Sequence, residues 1–522
     1  MTRASGALLH ISSLPGPFGT GCFGEEALDF ARLIRKAGFT YWQVLPFSHP
    51  GTGDSPYQSY SAFAGNAYFI DPRQLRDDNL LSDCDLEEAK YCGNIHTVDY
   101  KWLRPNRLSL LRKAYANISK EIVEETEAFC VRNSWIDDVA LYETIKGIEC
   151  GKSWWDWENP DLRMHRTQAL AEIRDKYHED YFFHCFVQYE FYTQWMNLKR
   201  QINDIGISVI GDIPIYVSSD SADVWANNSL FQMKPDHTLS SVAGVPPDYF
   251  SEDGQLWGNP LYDWEAHAKD GYAWWIERLA VNFSLFDKVR IDHFRGFCSY
   301  WSVGVEEVTA RNGMWVKGPG MDLFRKVEEY FPNPPIIAED LGEIDDAVRD
   351  FLMQTGFPGM RVLQFGFDPN GDSTNLPHNF DKNTTAYTGT HDNNTLLGWL
   401  WDASEDERRF ALAYCNVKKD NWGTGGPQSI SCRAMIRQVW QSHADLVIAP
   451  VQDILGYGSD TRMNIPGTPE GNWVFRVSQD GLDSMDAKWL RELTSLYRRL
   501  TPDITPSCEI PARDIADGAV SD

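Results

Sequence analysis

The feature that most limits how this 522-residue chain can fold is a series of eight short apolar runs. Most of these runs end in polar residues. They lie at residues 7–11, 41–47, 207–213, 288–292, 335–339, 361–365, 385–390 and 446–451. Helix-like stretches adjoin several of them, at 25–37, 321–330 and 344–355. Such α/β alternation is typical of parallel βαβ units, and eight units close most readily into a (β/α)8 TIM barrel. A doubly wound open sheet is the alternative fold. No GxGxxG turn follows the first predicted strand of this sequence, so nothing supports a dinucleotide-binding version of that fold.

The connections between the runs are uneven in length. Residues 48–206 separate the second run from the third, where a plain βαβ unit needs only about 30 residues in total. Helix formers dominate there, which predicts a mainly helical insertion at 86–199 within a catalytic barrel of residues 1–85 and 200–500. The connection at 217–286 predicts long binding loops over the barrel mouth. Only residues 452–522 follow the eighth run and they end in a polar tail at 501–522, so we expect no C-terminal antiparallel β domain.

Composition and charge exclude several classes of partner. With 48 basic and 75 acidic residues the net charge is −27, so we expect neither a nucleic-acid nor a membrane partner. The absence of a signal-peptide pattern predicts a cytoplasmic protein, and no apolar stretch reaches the roughly 18 residues of a membrane span. Ten cysteines without a CxxC pair fit reduced thiols. The 20 tryptophans would suit stacking on sugars, although most of them would also serve as core.

Acidic residues stand at or near the ends of four of the predicted strands. They are Asp212, Asp292, Glu339 and Asp392. The carboxyl ends of barrel strands form the active-site face, so these acids should meet at one mouth. Like charges at close range raise the pKa of one partner, which creates the protonated acid and ionised base that glycosidic chemistry needs. A single strand-end aspartate would equally well cap a helix or anchor a loop.

Spacing suggests different tasks for these acids. Arg290 and Asp292 are two residues apart and therefore point to one side of a strand, where the guanidinium would keep a nucleophilic carboxylate ionised. A plain internal ion pair is the alternative. Glu339 ends an apolar run, so burial would raise its pKa and suit it as the acid. His391 and Asp392 could bind adjacent sugar hydroxyls or a metal ion. The His10 segment lacks a His-x-His pair, so we expect neither a metal nor a cofactor.

Nine segments together resemble one known family. They are LHISSLP at 9–15, SPYQSYSAFAGN at 55–66, GDIP at 211–214, VAGVPPDYF at 242–250, GQLWGNP at 254–260, VRIDHFRG at 289–296, AEDLG at 338–342, TGTHDN at 388–393 and RMNIP at 462–466. In this order they are similar to the amylomaltases, the 4-α-glucanotransferases of glycoside hydrolase family 77 in the α-amylase clan. The helical region at about 86–200 contributes little to the match. Ile465 departs from the family, in which a small polar residue is common there.

The resemblance implies a role for each matching residue. Asp292 would be the nucleophile, Glu339 the general acid/base and Asp392 the acid that stabilises the transition state. Residues implied to contact sugar are Ser55, Tyr57, Asp212, Trp257, Arg290, His293, His391 and Asn464, and the loop at 244–250 would arch over the groove. The implied partners are an α-1,4-glucan or maltooligosaccharide donor and a glucose or glucan acceptor. The implied reaction retains configuration through a double displacement.

Three alternatives to a transferase remain at this point. An α-1,4-glucan hydrolase would use the same acids with water as acceptor. A non-catalytic glucan-binding scaffold would be expected to have lost one of the three acids, all of which are present. A metal-dependent barrel hydrolase would lose its activity to a chelator.

Overall fold

The computed structural model describes residues 3–247, 252–342, 344–418, 420–468 and 470–500. Its strands are β1 (Ala4–Leu8), β2 (Tyr41–Gln43), β3 (Ser208–Ile213), β4 (Ser241–Val245), β5 (Gln255–Pro260), β6 (Lys288–Ile291), β7 (Ser299–Gly304), β8 (Gly313–Lys317), β9 (Ile336–Ala338), β10 (Gly359–Val362), β11 (Thr384–Tyr387) and β12 (Leu446–Pro450). Eight of them pair in parallel in the order β10-β11-β12-β1-β2-β3-β6-β9. The predicted tail at 501–522 and the end of the predicted arching loop, at 248–250, lie outside the described residues.

Helices follow or connect these strands. They are α1 (Glu25–Lys36), α2 (Pro72–Asp77), α3 (Asp83–Glu88), α4 (Tyr100–Tyr115), α5 (Lys120–Arg132), α6 (Trp135–Ile148), α7 (Pro160–Arg163), α8 (Thr167–Lys176), α9 (His178–Asp204), α10 (Ala222–Ala226), α11 (Trp264–Lys269), α12 (Ala273–Leu285), α13 (Met321–Tyr330), α14 (Asp346–Thr355), α15 (Leu396–Asp402), α16 (Glu405–Tyr414), α17 (Ile430–Gln441), α18 (Val451–Ile454), α19 (Gln479–Asp483) and α20 (Ala487–Leu496). Buried side chains of the barrel and of the helices between β2 and β3 form one continuous core. No helix among the described residues is long and apolar enough to cross a membrane.

The eight-stranded sheet is the predicted (β/α)8 barrel, and its two end strands, β9 and β10, meet at a seam. There the backbone N–H of Ala338 donates to the carbonyl of Pro358 at 2.9 Å. Helix α14 makes the crossover between these two strands. It begins after Asp345, whose side chain accepts the N–H of Val348, and it ends at Gly356 with a φ of 69°. Both are standard helix-end signals, and they return the chain to the seam.

The first strand begins earlier than the sequence predicts. It was expected at 7–11 but runs over Ala4–Leu8, and Ile11 starts a 3-10 turn. The start of the strand is built from small residues that carry little hydrophobic signal. Gly6 shows why small residues are needed, because a Cβ there would lie 2.6 Å from the carbonyl oxygen of Tyr41 on β2. Because β1 and β2 approach closely, the start of β1 carries small residues instead of the large apolar residues on which the prediction depended.

The connection between β2 and β3 is mainly helical, as predicted, and holds α2 to α9. The connections on either side of β6 contain more than loops. Strands β4 and β5 from one connection and β7 and β8 from the other form an antiparallel sheet in the order β5-β4-β7-β8. The sequence predicted only binding loops at 217–286, because β4 and β5 carry glycines such as Gly244 and Gly258 and lack a regular apolar alternation. The sheet presents Trp257 of β5 to the barrel mouth.

Candidate active site

The four strand-end acids occupy the carboxyl ends of the barrel strands. Asp212 lies within β3, Asp292 and Glu339 directly follow β6 and β9, and Asp392 follows β11 by five residues. The parallel ladder continues past the strands, since the N–H of Asp292 donates to Ile213 at 2.9 Å and that of Glu339 donates to Ile291 at 3.1 Å. Backbone bonds therefore fix where Asp292 and Glu339 leave the barrel wall.

Arg290 joins two of the acids. Its Nη1 donates to both oxygens of Asp212 at 2.7 Å, and its Nη2 donates to Oδ1 of Asp292 at 2.9 Å. The side chains of Arg290 and Asp212 are 4% and 0% exposed, whereas that of Asp292 is 29% exposed and faces the mouth. Burial raises the pKa of Asp212 to about 6 against the opposing effect of Arg290. The arrangement leaves Asp292 as a carboxylate that is paired on its inner side and open on its outer side.

Glu339 occupies a different environment. It is buried, and its Oε2 accepts the N–H of His293 at 2.7 Å while its Oε1 accepts the N–H of Leu341 at 2.6 Å. Burial, reinforced by the charge of Asp292, raises the pKa of Glu339 to about 8 despite Arg290 and these two hydrogen bonds. The carboxyl can therefore hold a proton at neutral pH in a fixed orientation, as a general acid must.

Asp392 is held on the other side of the mouth. Asn464 donates its Nδ2 to Oδ1 of Asp392 at 2.6 Å, and Nε2 of His391 lies 3.3 Å from the same oxygen. Asn464 is itself positioned by its N–H, which donates to the carbonyl of His391 at 3.0 Å. The carboxylate is 41% exposed and can bind sugar hydroxyls.

An aromatic group links Asp392 to Asp212. The ring of Tyr57 stacks on that of His391, with centroids 5.1 Å apart and planes at 18°, and its hydroxyl donates to Oδ2 of Asp212 at 2.9 Å. Trp473 completes the group, 5.6 Å from Tyr57 and 5.7 Å from His391. Trp473 was missed in the sequence, since it lies about 80 residues beyond His391 and carries no local signal.

His293 and Trp257 form the opposite wall. The two rings meet edge to face with centroids 4.8 Å apart, and His293 has a φ of 50°. Burial lowers the pKa of His293 to about 3, so the imidazole is neutral. Its Nε2 is buried and has no hydrogen-bond partner among the described residues, an unsatisfied polar atom at the edge of the mouth. A strained backbone at such a position is typical of functional sites.

Ser55 makes its hydrogen bonds within its own loop. Its Oγ accepts the N–H of Tyr57 at 3.2 Å, and its carbonyl accepts the N–H of Gly51. Ser55 thereby shapes the turn that presents Tyr57. A direct contact with sugar stays a prediction for Ser55, as it does for the other residues implied to bind sugar.

The chemistry of this mouth is that of carboxylates. Among the described residues, no three His, Cys, Asp or Glu side chains are arranged to hold a metal ion. A buried glutamate with a raised pKa beside an arginine-paired aspartate, on the active-site face of a (β/α)8 barrel, defines the class of enzymes that break and form glycosidic bonds.

Comparison with known proteins identifies the family within this class. The family model of 4-alpha-glucanotransferase, glycoside hydrolase family 77, matches residues 9–482, and the chain belongs to this family. The 4-alpha-glucanotransferases of Streptococcus pneumoniae and Thermus thermophilus are both 43% identical to it, over 96% of this chain and 98% and 100% of their own lengths. The resemblance stated from the sequence is confirmed. The chain is a glycosyl-transferring enzyme of the 4-α-glucanotransferase family, and these relatives do not favour the hydrolase alternative.

The fold gives the same result. The solved structure of the Streptococcus agalactiae amylomaltase in complex with acarbose superposes with a TM-score of 0.91 at 38% identity, covering 95% of this chain and 99% of that one. The Corynebacterium glutamicum amylomaltase, at 20% identity and a TM-score of 0.75, shares the fold over 95% of this chain and 74% of its own.

Proposed function

We propose that this enzyme moves a segment of an α-1,4-glucan from a donor to the 4-hydroxyl of a glucose or glucan acceptor, with retention of configuration. The observation that carries the mechanism is the contrast between two carboxyl groups. Glu339 is buried and has a raised pKa, whereas Asp292 is paired with Arg290 and open to the mouth. One group suits proton donation and the other suits attack on carbon.

The first half of the cycle breaks the donor. Glu339 gives its proton to the glycosidic oxygen, and the leaving piece departs with a free 4-hydroxyl. A carboxylate oxygen of Asp292 bonds to the anomeric carbon from the opposite face, which inverts the carbon and forms a covalent glycosyl-enzyme. Glu339 is left ionised, and its two backbone N–H donors stabilise that form.

The second half returns the enzyme to its starting state. Ionised Glu339 removes the proton from the 4-hydroxyl of an acceptor, whose oxygen attacks the anomeric carbon and displaces Asp292. The carbon is inverted again, so the configuration of the product matches that of the donor. Glu339 regains its proton, and the arginine-paired carboxylate of Asp292 is restored.

Three groups are placed to hold the sugar during these steps. We assign Asp392, kept in place by Asn464, to hydroxyls of the ring under attack, where its negative charge stabilises the developing cation. Neutral His293 would bind a hydroxyl through Nε2, and Trp257 beside it offers an apolar face. The Streptococcus agalactiae amylomaltase forms a complex with acarbose, which supports an oligosaccharide as the ligand of this mouth.

Transfer rather than hydrolysis requires that an acceptor outcompete water at the glycosyl-enzyme. The rings of Tyr57, His391 and Trp473 form an aromatic wall beside Asp392, which would limit the access of water to the glycosyl-enzyme. We also place the enzyme in the cytoplasm, where its partners would be maltooligosaccharides or longer α-glucans. Nine of its cysteines are described, and all are free thiols, which supports a reducing compartment.

The test is incubation of the purified protein with maltotriose, without added metal, and chromatography of the products over time. We expect glucose together with a ladder of longer maltooligosaccharides, and no effect of a chelator. Only shorter sugars would indicate a hydrolase. No reaction with maltotriose or with longer donors would contradict the proposal, and loss of activity to a chelator would contradict the metal-free mechanism.

A further inference from the structure

The seam between β9 and β10 lies directly beside the acid/base. The hydrogen-bonded ladder that joins the other neighbouring barrel strands does not include this pair, which forms the two ends of the sheet. A backbone bond crosses it at Ala338, just before Glu339. The strand that carries the acid therefore has a full ladder with β6 on one side and far less backbone support on the other.

A carboxylate supplies the missing bonds. Oδ1 of Asp340 accepts the N–H of Met360 on β10 at 2.6 Å, and Oδ2 accepts Nη1 of Arg361 at 3.0 Å. Asp340 is 8% exposed, so the carboxylate is sheltered from water and its bonds are correspondingly strong. The side chain thus replaces a strand-to-strand hydrogen bond at the active-site end of the seam.

Gly359 indicates that the fit is tight. A Cβ at this position would lie 2.8 Å from each oxygen of Asp340, closer than real Cβ atoms approach their neighbours. The carboxylate could not move aside without giving up its bonds to Met360 and Arg361. The backbone of β10 has room for the carboxylate only because it carries no side chain at residue 359.

The same carboxylate is connected to both halves of the catalytic pair. Asp340 lies between Glu339 and Leu341, whose N–H binds Oε1 of Glu339, so fixing Asp340 fixes the direction of that N–H. Met360, whose N–H is bound by Asp340, lies with its Sδ 3.4 Å from Nε of Arg290. A shift at the seam would therefore act directly on the N–H that supports Glu339, and on Arg290 only through the side chain of Met360, because Arg290 keeps its own bonds to Asp212 and Asp292.

We propose that Asp340 is a positioning residue for the reaction, acting through the orientation of Glu339. The inference depends on the role proposed above for Glu339 as acid/base. Loss of the Asp340 carboxylate should impair proton transfer selectively, because a displacement of about 1 Å at a catalytic group can cost on the order of 100-fold in rate. Bond formation by Asp292, which is held through Arg290, should suffer less.

Two substrates separate these effects. Maltotriose needs Glu339 as acid and then as base. With α-maltosyl fluoride and azide, Asp292 bonds to the anomeric carbon as fluoride ion leaves, and azide then displaces Asp292. Fluoride needs little protonation to leave, and azide carries no proton to remove. With both reactions at saturating substrate, the ratio of the maltotriose rate to the fluoride rate therefore falls when proton transfer by Glu339 is impaired, and overall loss of folded protein does not change it.

Asp287 offers a matched control. It also uses a carboxylate to bind a strand N–H, that of Val209 at 2.7 Å, but it lies before β6 at the end of the barrel opposite the mouth. We expect Asp340→Ala to lower the rate ratio about tenfold or more and Asp287→Ala to leave it unchanged. Gly359→Ala, which keeps the carboxylate but displaces it, should lower the ratio in the same direction as Asp340→Ala.

The outcomes distinguish this inference from the proposed function. A wild-type enzyme that does not disproportionate maltotriose would contradict the proposed function itself. If the wild type is active but Asp340→Ala leaves the rate ratio unchanged, whether or not both rates fall, the positioning role is overturned. If Asp340→Ala does not fold, the same ratio is measured in Gly359→Ala and Asp340→Asn. The asparagine loses the ion pair with Arg361 but can still accept the N–H of Met360.

Discussion

The hydroxyl of Tyr57 donates a 2.9 Å hydrogen bond to Oδ2 of Asp212, across 155 residues of sequence. This bond ties the loop after β2 to the buried ion pair of Arg290 and Asp212. It also fixes the tyrosine ring against His391 at the edge of the mouth. One side chain therefore contributes both a polar bond to the acid cluster and an apolar wall beside the sugar.

Substitution of Tyr57 should change the fate of the glycosyl-enzyme. We expect Tyr57→Ala to lower the ratio of transfer to hydrolysis more than it lowers bond cleavage, because water gains access where the ring was. Tyr57→Phe keeps the ring and loses only the bond to Asp212, so it serves as the control and should keep most of the ratio. Product analysis with maltotriose measures both quantities. Equal losses of transfer and cleavage in Tyr57→Ala would contradict this role.

The pH dependence of the enzyme should follow Glu339. The group must be protonated in the free enzyme to act as an acid, and its pKa is raised to about 8. We therefore expect kcat/KM for maltotriose to fall as pH rises through about 8. Glu339→Gln should lower kcat by about 10²–10⁴-fold and remove this limb. A basic limb that persists in Glu339→Gln would assign it to another group.

Much of this site could be predicted from the sequence because the end of a buried strand is visible as the change from apolar to polar residues. Asp292 and Glu339 follow apolar runs, and the rule that barrel active sites lie at the carboxyl ends of strands needs no further information. The pairing of Arg290 with Asp292 followed from the two-residue period of a strand. These are local properties of the chain.

Contacts between distant segments could not be predicted in this way. The bond from Tyr57 to Asp212, the ring of Trp473 beside His391 and the small sheet formed by β4, β5, β7 and β8 all bring together parts of the chain with no shared local pattern. Asp340 is the clearest case. Its neighbour Glu339 attracts notice as the strand-end acid, whereas the role of Asp340 is visible only once β10 is known to lie beside β9 with a glycine at its start.

Removal of Arg290 should destabilise the fold in a pH-dependent way. Arg290→Met leaves Asp212 buried without its partner, and breaking such a pair costs about 3–5 kcal/mol of unfolding free energy. The pKa of Asp212 is already raised to about 6 by burial, and loss of Arg290 would raise it further. A raised folded-state pKa contributes stability that is full at low pH and is lost as pH rises through that pKa.

The loss of unfolding free energy in Arg290→Met, relative to the wild type, should therefore be larger at pH 8 than at pH 5. Urea unfolding at the two pH values measures it. The double variant Arg290→Met, Asp212→Asn removes the unpaired charge and should recover much of the loss at pH 8. A deficit that is independent of pH would show that packing, and not charge, is the contribution of Arg290.

Substitution of Asn464 tests whether its hydrogen bond holds Asp392 in position. Its Nδ2 donates to Oδ1 of Asp392 at 2.6 Å, and Asn464→Ala would leave that partly exposed carboxylate free to turn away from the substrate. We expect a loss of about tenfold in kcat/KM for maltotriose, the value of one hydrogen bond to a charged group. Ile465→Ser is the control, because the side chain of Ile465 is 47% exposed and follows Asn464 directly in the same loop. It should leave kcat/KM unchanged, and a loss equal to that of Asn464→Ala would mean that the loop as a whole, rather than the amide of Asn464, holds Asp392 in place.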